Sequence, residues 1–156
     1  MDLKRGCRGW WIALAAALID RATKLLAEGL PRGGRVLVPG VVRLYPVQNR
    51  GMAFSMLSGQ SLLLALLTAA IIAGVVAWLV RRADAPGLLR AGLWLIVGGG
   101  LGNLYDRLFF GGVADFIELA FVRFAVFNIA DVCICAGAAL AVVAMALDER
   151  KGKRTR

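Results

Sequence analysis

The chain contains no histidine. Serine–histidine triads and histidine-ligated zinc sites are therefore excluded, because each needs an imidazole. Cysteine is scarce, with three in 156 residues. Cys7 stands apart, and Cys133 and Cys135 are two apart, so a helix would turn them to different faces. That pattern gives neither a disulfide framework nor metal-ligand spacing. Internal repeats, low-complexity tracts and inter-domain linkers are also missing, as expected of a single domain over residues 1–156. No serine or cysteine has an evident base beside it. A Ser–Lys dyad drawn from Ser55, Ser58 or Ser61 with Lys24 is the one nucleophilic alternative, and it is the weaker one.

Apolar residues are abundant, at 60% of the chain, against about 45–50% in soluble domains. Four runs approach the ~20 apolar residues needed to cross a bilayer. They lie at about 10–27, 61–80, 88–105 and 126–147. The expected architecture is an all-α membrane protein, a bundle of four transmembrane helices. The first run could be confused with a cleaved signal peptide, since Lys4, Arg5 and Arg8 precede it. It ends, however, in Asp20-Arg21-Ala22-Thr23-Lys24, where cleavage would need small neutral residues. Between the first two runs, at about 28–60, Arg35-Val36-Leu37-Val38 and Val41-Val42-Arg43-Leu44-Tyr45 flank Pro39-Gly40. That pattern predicts a small β-hairpin. The segment at about 106–125 reads as strand or short helix. Gly98 and Gly102, four apart, predict close approach between membrane helices.

Lys and Arg outnumber Asp and Glu by 19 to 10, for a formal net charge of +9. In a soluble protein this would suggest nucleic acid; here the basic clusters sit at helix ends. Lys4, Arg5 and Arg8 precede the first run, Arg81, Arg82 and Arg90 flank the turn after the second, and Arg150, Lys151, Lys153, Arg154 and Arg156 follow the fourth. The positive-inside rule puts these ends, and both termini, in the cytoplasm. Arg32, Arg35, Arg43 and Arg50 on the opposite side weaken the asymmetry without reversing it.

An ionisable residue inside a membrane span is costly, about 2.5–3.5 kcal/mol at the centre, so its position is informative. Asp20, Lys24, Asn103, Asp106, Arg107, Asn128 and Asp131 all fall at the outer ends of their helices, and Asn49 and Asp115 in the outer segments. Asp20 and Lys24 share a helix face at i,i+4, as do Asn103 and Arg107, while Asn128 and Asp131 pair at i,i+3. An ordinary helix-end ion pair would account for Asp20 and Lys24 taken alone. Interfacial solvation accounts for any one set and poorly for all of them, since the inner ends lack such clusters. Two neighbouring carboxylates that share a proton can carry out acid–base hydrolysis. Two other readings compete. A proton-coupled transporter would need a polar path to the other face. A non-catalytic subunit would use these polar groups only to hold helices together.

Five blocks resemble the signature of the lipoprotein signal peptidase (signal peptidase II) family. Asp20-Arg21-Ala22-Thr23-Lys24 resembles D-x-x-T-K, and Asn49-Arg50-Gly51-Met52-Ala53-Phe54 resembles N-x-G-x-A-F. Gly102-Asn103-Leu104-Tyr105-Asp106-Arg107 resembles G-N-x-x-D-R, Val113-Ala114-Asp115-Phe116 resembles V-x-D-F, and Phe127-Asn128-Ile129-Ala130-Asp131 resembles F-N-x-A-D. The resemblance implies that Asp115 and Asp131 are a catalytic aspartate pair. It implies that Asp20, Lys24, Asn49, Gly51, Asn103, Arg107, Asn128 and Ala130 shape the site or contact substrate. It further implies an intramembrane aspartic endopeptidase of the bacterial inner membrane, active near the periplasmic face. Its substrate would be a diacylglyceryl-modified prolipoprotein, cut on the amino side of the lipid-bearing cysteine. Membrane lipid is the expected partner, nucleic acid is not, and the enzyme is expected to be a monomer, inhibited by globomycin, with no metal or cofactor. The family fold adds a small extracytoplasmic β-sheet in the first outer loop and a short helix in the second. Arg50, Val132 and Arg123-Phe124-Ala125-Val126 depart from the family pattern and bear on loop conformation and substrate preference. From spacing, Asn128 is expected to orient Asp131; in the mechanism that the resemblance implies, Arg107 or Asn49 would hold substrate carbonyls.

Overall fold

The computed structural model describes residues 7–31, 33–51 and 59–154. Lys4, Arg5, Arg32, Met52, Ala53, Phe54, Ser55, Ser58 and Arg156, named above, lie outside the described residues, as do the side chains of residues 151–154. Four long helices follow the four apolar runs: α1 (Trp10–Glu28), α2 (Ser61–Arg81), α3 (Gly87–Phe110) and α4 (Ile129–Arg154). The last two overrun their apolar stretches, because helix continues into the polar flanks Asp106-Arg107 and Asp148-Glu149-Arg150. Among the described residues, α2, α3 and residues Ile129–Arg150 of α4 are long and apolar enough to cross a membrane. Their outward faces carry Leu62, Leu66 and Ile71 on α2 and Val142 and Met145 on α4, all more than half exposed. Such surfaces suit lipid rather than water. This is a membrane protein with several apolar helices. The 19-residue α1 holds Asp20, Arg21 and Lys24 within its length.

Helix α3 is the hub, packing against α1, α2 and α4. Its glycines make this possible, since small residues let helix backbones approach closely. A β-carbon on Gly98 would meet Ala16 Cβ at 2.7 Å, and one on Gly102 would meet the Asp20 carboxylate. The two glycines four apart thus both face α1. The Asp20 carboxylate is tied down by Lys24 and by the Ala130 N–H, so it has no room to yield. Gly102→Ala is expected to cost about 1–3 kcal/mol through overpacking. Gly74→Ala, in α2 with nothing within 4 Å, should stay within about 0.5 kcal/mol of wild type. Thermal unfolding in detergent checks both; equal melting temperatures for the two variants would refute the packing argument.

The hairpin forms around Pro39-Gly40, with Gly40 at φ 71°, a conformation open to glycine. Its strands are β1 (Arg35–Val38) and β2 (Val42–Asn49). A third strand, β3 (Val113–Leu119), comes from the segment between α3 and α4 and pairs antiparallel with β2, giving the order β1-β2-β3. The sheet is therefore not confined to the first inter-helix segment. The expected short helix in the second segment is also absent: residues 111–128 hold β3 and then an extended return. Phe127 pairs with Ile117 there and accepts the Phe116 N–H, which commits those backbone groups to bridging rather than to a helix. The β2–β3 register sets Val47 opposite Asp115 and Asn49 opposite Val113. In this way the sheet carries Asn49 and Asp115 to the end of the bundle where α3 stops and α4 begins.

Candidate active site

Asp115 lies on β3 and is 4% exposed. Its Oδ1 accepts a hydrogen bond from Asn128 Nδ2 at 2.7 Å, and its Oδ2 accepts one from Asn49 Nδ2 at 2.9 Å. Burial pushes the carboxyl up to about 6. The Asn49 donor opposes this, the Asp131 charge adds to it, and the Asn128 donor and Lys24 charge oppose it.

Asp131 is held by a capping box at the start of α4. Asn128 Oδ1 accepts the Asp131 N–H at 2.9 Å, and Asp131 Oδ2 accepts the Asn128 N–H at 3.3 Å. Asp131 Oδ1 accepts from Asn103 Nδ2 at 2.8 Å. Asn128 does touch Asp131, but through Asp131's backbone N–H; its side-chain amine goes to Asp115 and, at 3.1 Å, to Asn103 Oδ1. One fully buried asparagine therefore ties the strand that carries Asp115 to the helix that carries Asp131.

The amide orientations are set by their partners. Lys24 can only donate, so Asn103 turns its oxygen to Lys24 Nζ, at 3.1 Å, and its amine to Asp131. Asn49 Oδ1 accepts the Gly51 N–H at 2.9 Å, which leaves its amine for Asp115. Arg107 reaches the carbonyls of Gly51 and Asn103 at 3.3 and 3.5 Å. Asn49, Asn103, Arg107, Asp115 and Asp131 line one end of a cavity of about 510 Å³, whose walls continue along apolar Phe124, Val126 and Val132. Both carboxylates thus face the same space.

Behind the pair, Lys24 and Asp20 form more than a helix-end ion pair. Both are fully buried and 2.8 Å apart, and Lys24 makes a second 2.8 Å bridge to Asp106, also buried. Asp20 Oδ1 accepts the Ala130 N–H at 2.8 Å and Asp106 Oδ2 the Ala114 N–H at 3.1 Å. Arg21 stands 3.6 Å from Asp106. Every residue singled out from the sequence, namely Asp20, Lys24, Asn49, Gly51, Asn103, Arg107, Asp115, Asn128, Ala130 and Asp131, therefore belongs to one connected site. Asp106, noted among the polar residues at the outer helix ends but not in the set that the resemblance implies, joins it. Its place one turn after Asn103, on the same helix face, is the spacing that brings it there.

The sequence profile described as "Signal peptidase (SPase) II" matches residues 12–147. A lipoprotein signal peptidase of Syntrophomonas wolfei is 39% identical over 149 residues, covering 94% of this chain and 98% of that protein. One from Streptococcus pneumoniae is 36% identical over 143 residues, covering 90% and 94%. A solved bacterial membrane enzyme, determined by the in meso method at 2.3 Å resolution, superposes with a TM-score of 0.82 at 26% identity, covering 89% of this chain and 87% of that one. With a family match over most of its length and relatives this similar, the chain belongs to the signal peptidase II family.

Proposed function

We propose that this protein removes signal peptides from prolipoproteins as an aspartic endopeptidase, with Asp115 and Asp131 as the catalytic pair. The observation that carries this reading is the shared cavity. Two carboxylates from different elements line it, and Asn128 donates to both, from its side-chain amine to Asp115 and from its backbone N–H to Asp131. Two close carboxylates hold one proton between them. The ionised member takes a proton from water as the water oxygen attacks the scissile carbonyl carbon. The protonated member gives its proton to the carbonyl oxygen. The tetrahedral intermediate then collapses: the C–N bond breaks, the nitrogen leaves with the proton taken from water, and the oxygen protonated earlier returns its proton to the carboxylate that gave it, restoring the shared-proton state. Arg107 on the same wall is placed to donate to a substrate carbonyl.

The substrate is a prolipoprotein whose cysteine carries diacylglycerol, cut on the amino side of that cysteine. The apolar cavity wall supports this, since a lipid anchor in the bilayer would present the bond there. Helix α1 is the fourth span: Asp20 and Lys24 are buried while Trp11, Leu14, Leu18 and Ile19 are exposed. The enzyme sits as a monomer in the bacterial inner membrane, both termini cytoplasmic and the site near the periplasmic face, and globomycin inhibits it.

The test uses purified protein in detergent or lipid with diacylglyceryl-modified and unmodified prolipoprotein. Cleavage before the cysteine of the modified form only, blocked by globomycin, is expected from mass spectrometry of the products. Well-folded protein that cuts neither form would overturn the proposal.

A further inference from the structure

Each residue of the catalytic pair is preceded by an alanine whose backbone N–H is bound by a buried carboxylate. Ala114 precedes Asp115 and donates to Asp106; Ala130 precedes Asp131 and donates to Asp20. The two carboxylates are bridged by one ammonium, Lys24, at 2.8 Å from each. The third donor of that ammonium goes to Asn103 Oδ1 at 3.1 Å, and Asn103 donates on to Asp131. The Lys24 ammonium thus has three partners for its three N–H groups. All three ionic side chains are at most 1% exposed.

A buried ion cluster is a poor way to gain stability, because apolar side chains of similar volume often do as well or better. It supplies direction instead. Its oxygens fix where two backbone N–H groups point, and those groups belong to β3 and α4, elements that meet at the pair. Arg21, held over the rings of Tyr105 and Phe110 and 3.6 Å from Asp106, balances the remaining negative charge of the cluster.

We infer that the Asp20–Lys24–Asp106 triad is a clamp that sets the spacing and orientation of Asp115 and Asp131 through the backbone N–H before each. The three are positioning residues; none lines the cavity that the pair faces. The inference rests on the peptidase reading above and assigns these residues a role in turnover rather than in folding or substrate binding. The charged groups around the pair are Asp20, Arg21 and Lys24 from α1, Asp106 and Arg107 from α3, Asp115 from β3 and Asp131 from α4.

The experiment measures kcat, KM, the pH profile of kcat and thermal unfolding for the full chain in detergent, with diacylglyceryl-modified prolipoprotein. The variants are Lys24→Met, Asp106→Asn, Asp106→Leu and the neutral triple Asp20→Asn/Lys24→Met/Asp106→Asn. A misplacement of about 1 Å costs about 100-fold in turnover, so Lys24→Met and Asp106→Leu should lose on that order in kcat with KM little changed. Asp106→Asn keeps an acceptor for the Ala114 N–H and should recover part of the loss. Removing the Lys24 charge makes a nearby carboxylate harder to ionise, so the acid limb of the Lys24→Met profile should move to higher pH. The neutral triple leaves no unpaired buried charge and is expected to fold with kcat still depressed. Wild-type kcat in the folded single variants or in the triple overturns the clamp. So does a triple that cannot fold, or losses that merely follow the melting temperature. Asp115→Asn runs alongside: if it cuts at the wild-type rate, the assignment of the catalytic pair falls, and if folded wild type never cuts, the peptidase reading falls, whatever the triad variants do.

Discussion

Asp115→Asn is expected to fold, to be inert, and to lose a pH dependence of stability that the wild type has. Asparagine keeps the size of the side chain but cannot exchange a proton, and positioned acid–base groups contribute up to about 10⁴-fold. Asp131→Asn should be equally inert. The stability effect follows from burial. Asp115 rises from 3.8 to about 6 in the folded protein. The folded state therefore holds a proton that the unfolded chain has already released, and wild-type stability falls as pH rises through that window. The difference amounts to something on the order of 3 kcal/mol between about pH 4 and pH 6. Asp115→Asn has no such group, so the gap between the two proteins should move in the variant's favour over that range. Unfolding in detergent at several pH values, paired with a cleavage assay, checks both parts. Cutting by Asp115→Asn at the wild-type rate would remove it from the catalytic pair. A gap that stays constant with pH would mean its carboxyl is not held high.

Asn128→Ala should lower turnover far more than stability. The stability term is the loss of a helix N-cap, typically about 1 kcal/mol, together with two buried donors. The activity term is larger, because the same side chain holds Asp115 at 2.7 Å and the Asp131 backbone at 2.9 Å. Losing both restraints frees the two carboxylates relative to each other, which is worth roughly 100-fold in kcat. Asn128→Asp separates the two duties. It keeps an oxygen for the Asp131 N–H but has no amine for Asp115, and it adds a third carboxylate. It should therefore retain the cap and still be nearly inactive. The measurement is kcat against melting temperature across the three proteins. An activity loss in Asn128→Ala no greater than its loss of folded protein would reduce Asn128 to a cap.

The architecture was readable where local chemistry decides it. Apolar runs gave the helices, and Pro39-Gly40 between β-branched runs gave the hairpin. Residues 113–119 were ambiguous, because a strand so short gains its identity from pairing with β2, some 70 positions away. The short helix expected in that segment failed for the same reason: Phe127 bridges to Ile117, and no local signal announces that. The site residues were legible as a group because polar side chains at one end of an apolar bundle are conspicuous. Their wiring was not. Spacing suggests that Asn128 serves the Asp131 carboxylate one turn on, whereas its amine crosses to Asp115. Asp106 looked like one more polar residue at a helix end, and its importance appears only once Lys24, 82 residues earlier in the chain, lies against it.

Because α1 supplies Asp20 and Lys24, α3 supplies Asn103 and Asp106, β3 supplies Asp115 and α4 supplies Asp131, the proposed centre is complete only when all four elements are in place. Synthesis delivers these parts in order, and Asp131 arrives with the final helix of the bundle. With Asp115 and Asp131 as the proposed pair, a chain inserted only as far as β3 would hold one of the two aspartates and would not cut. On that reading, proteolytic competence comes only with the last helix and is set by the order in which the segments leave the ribosome.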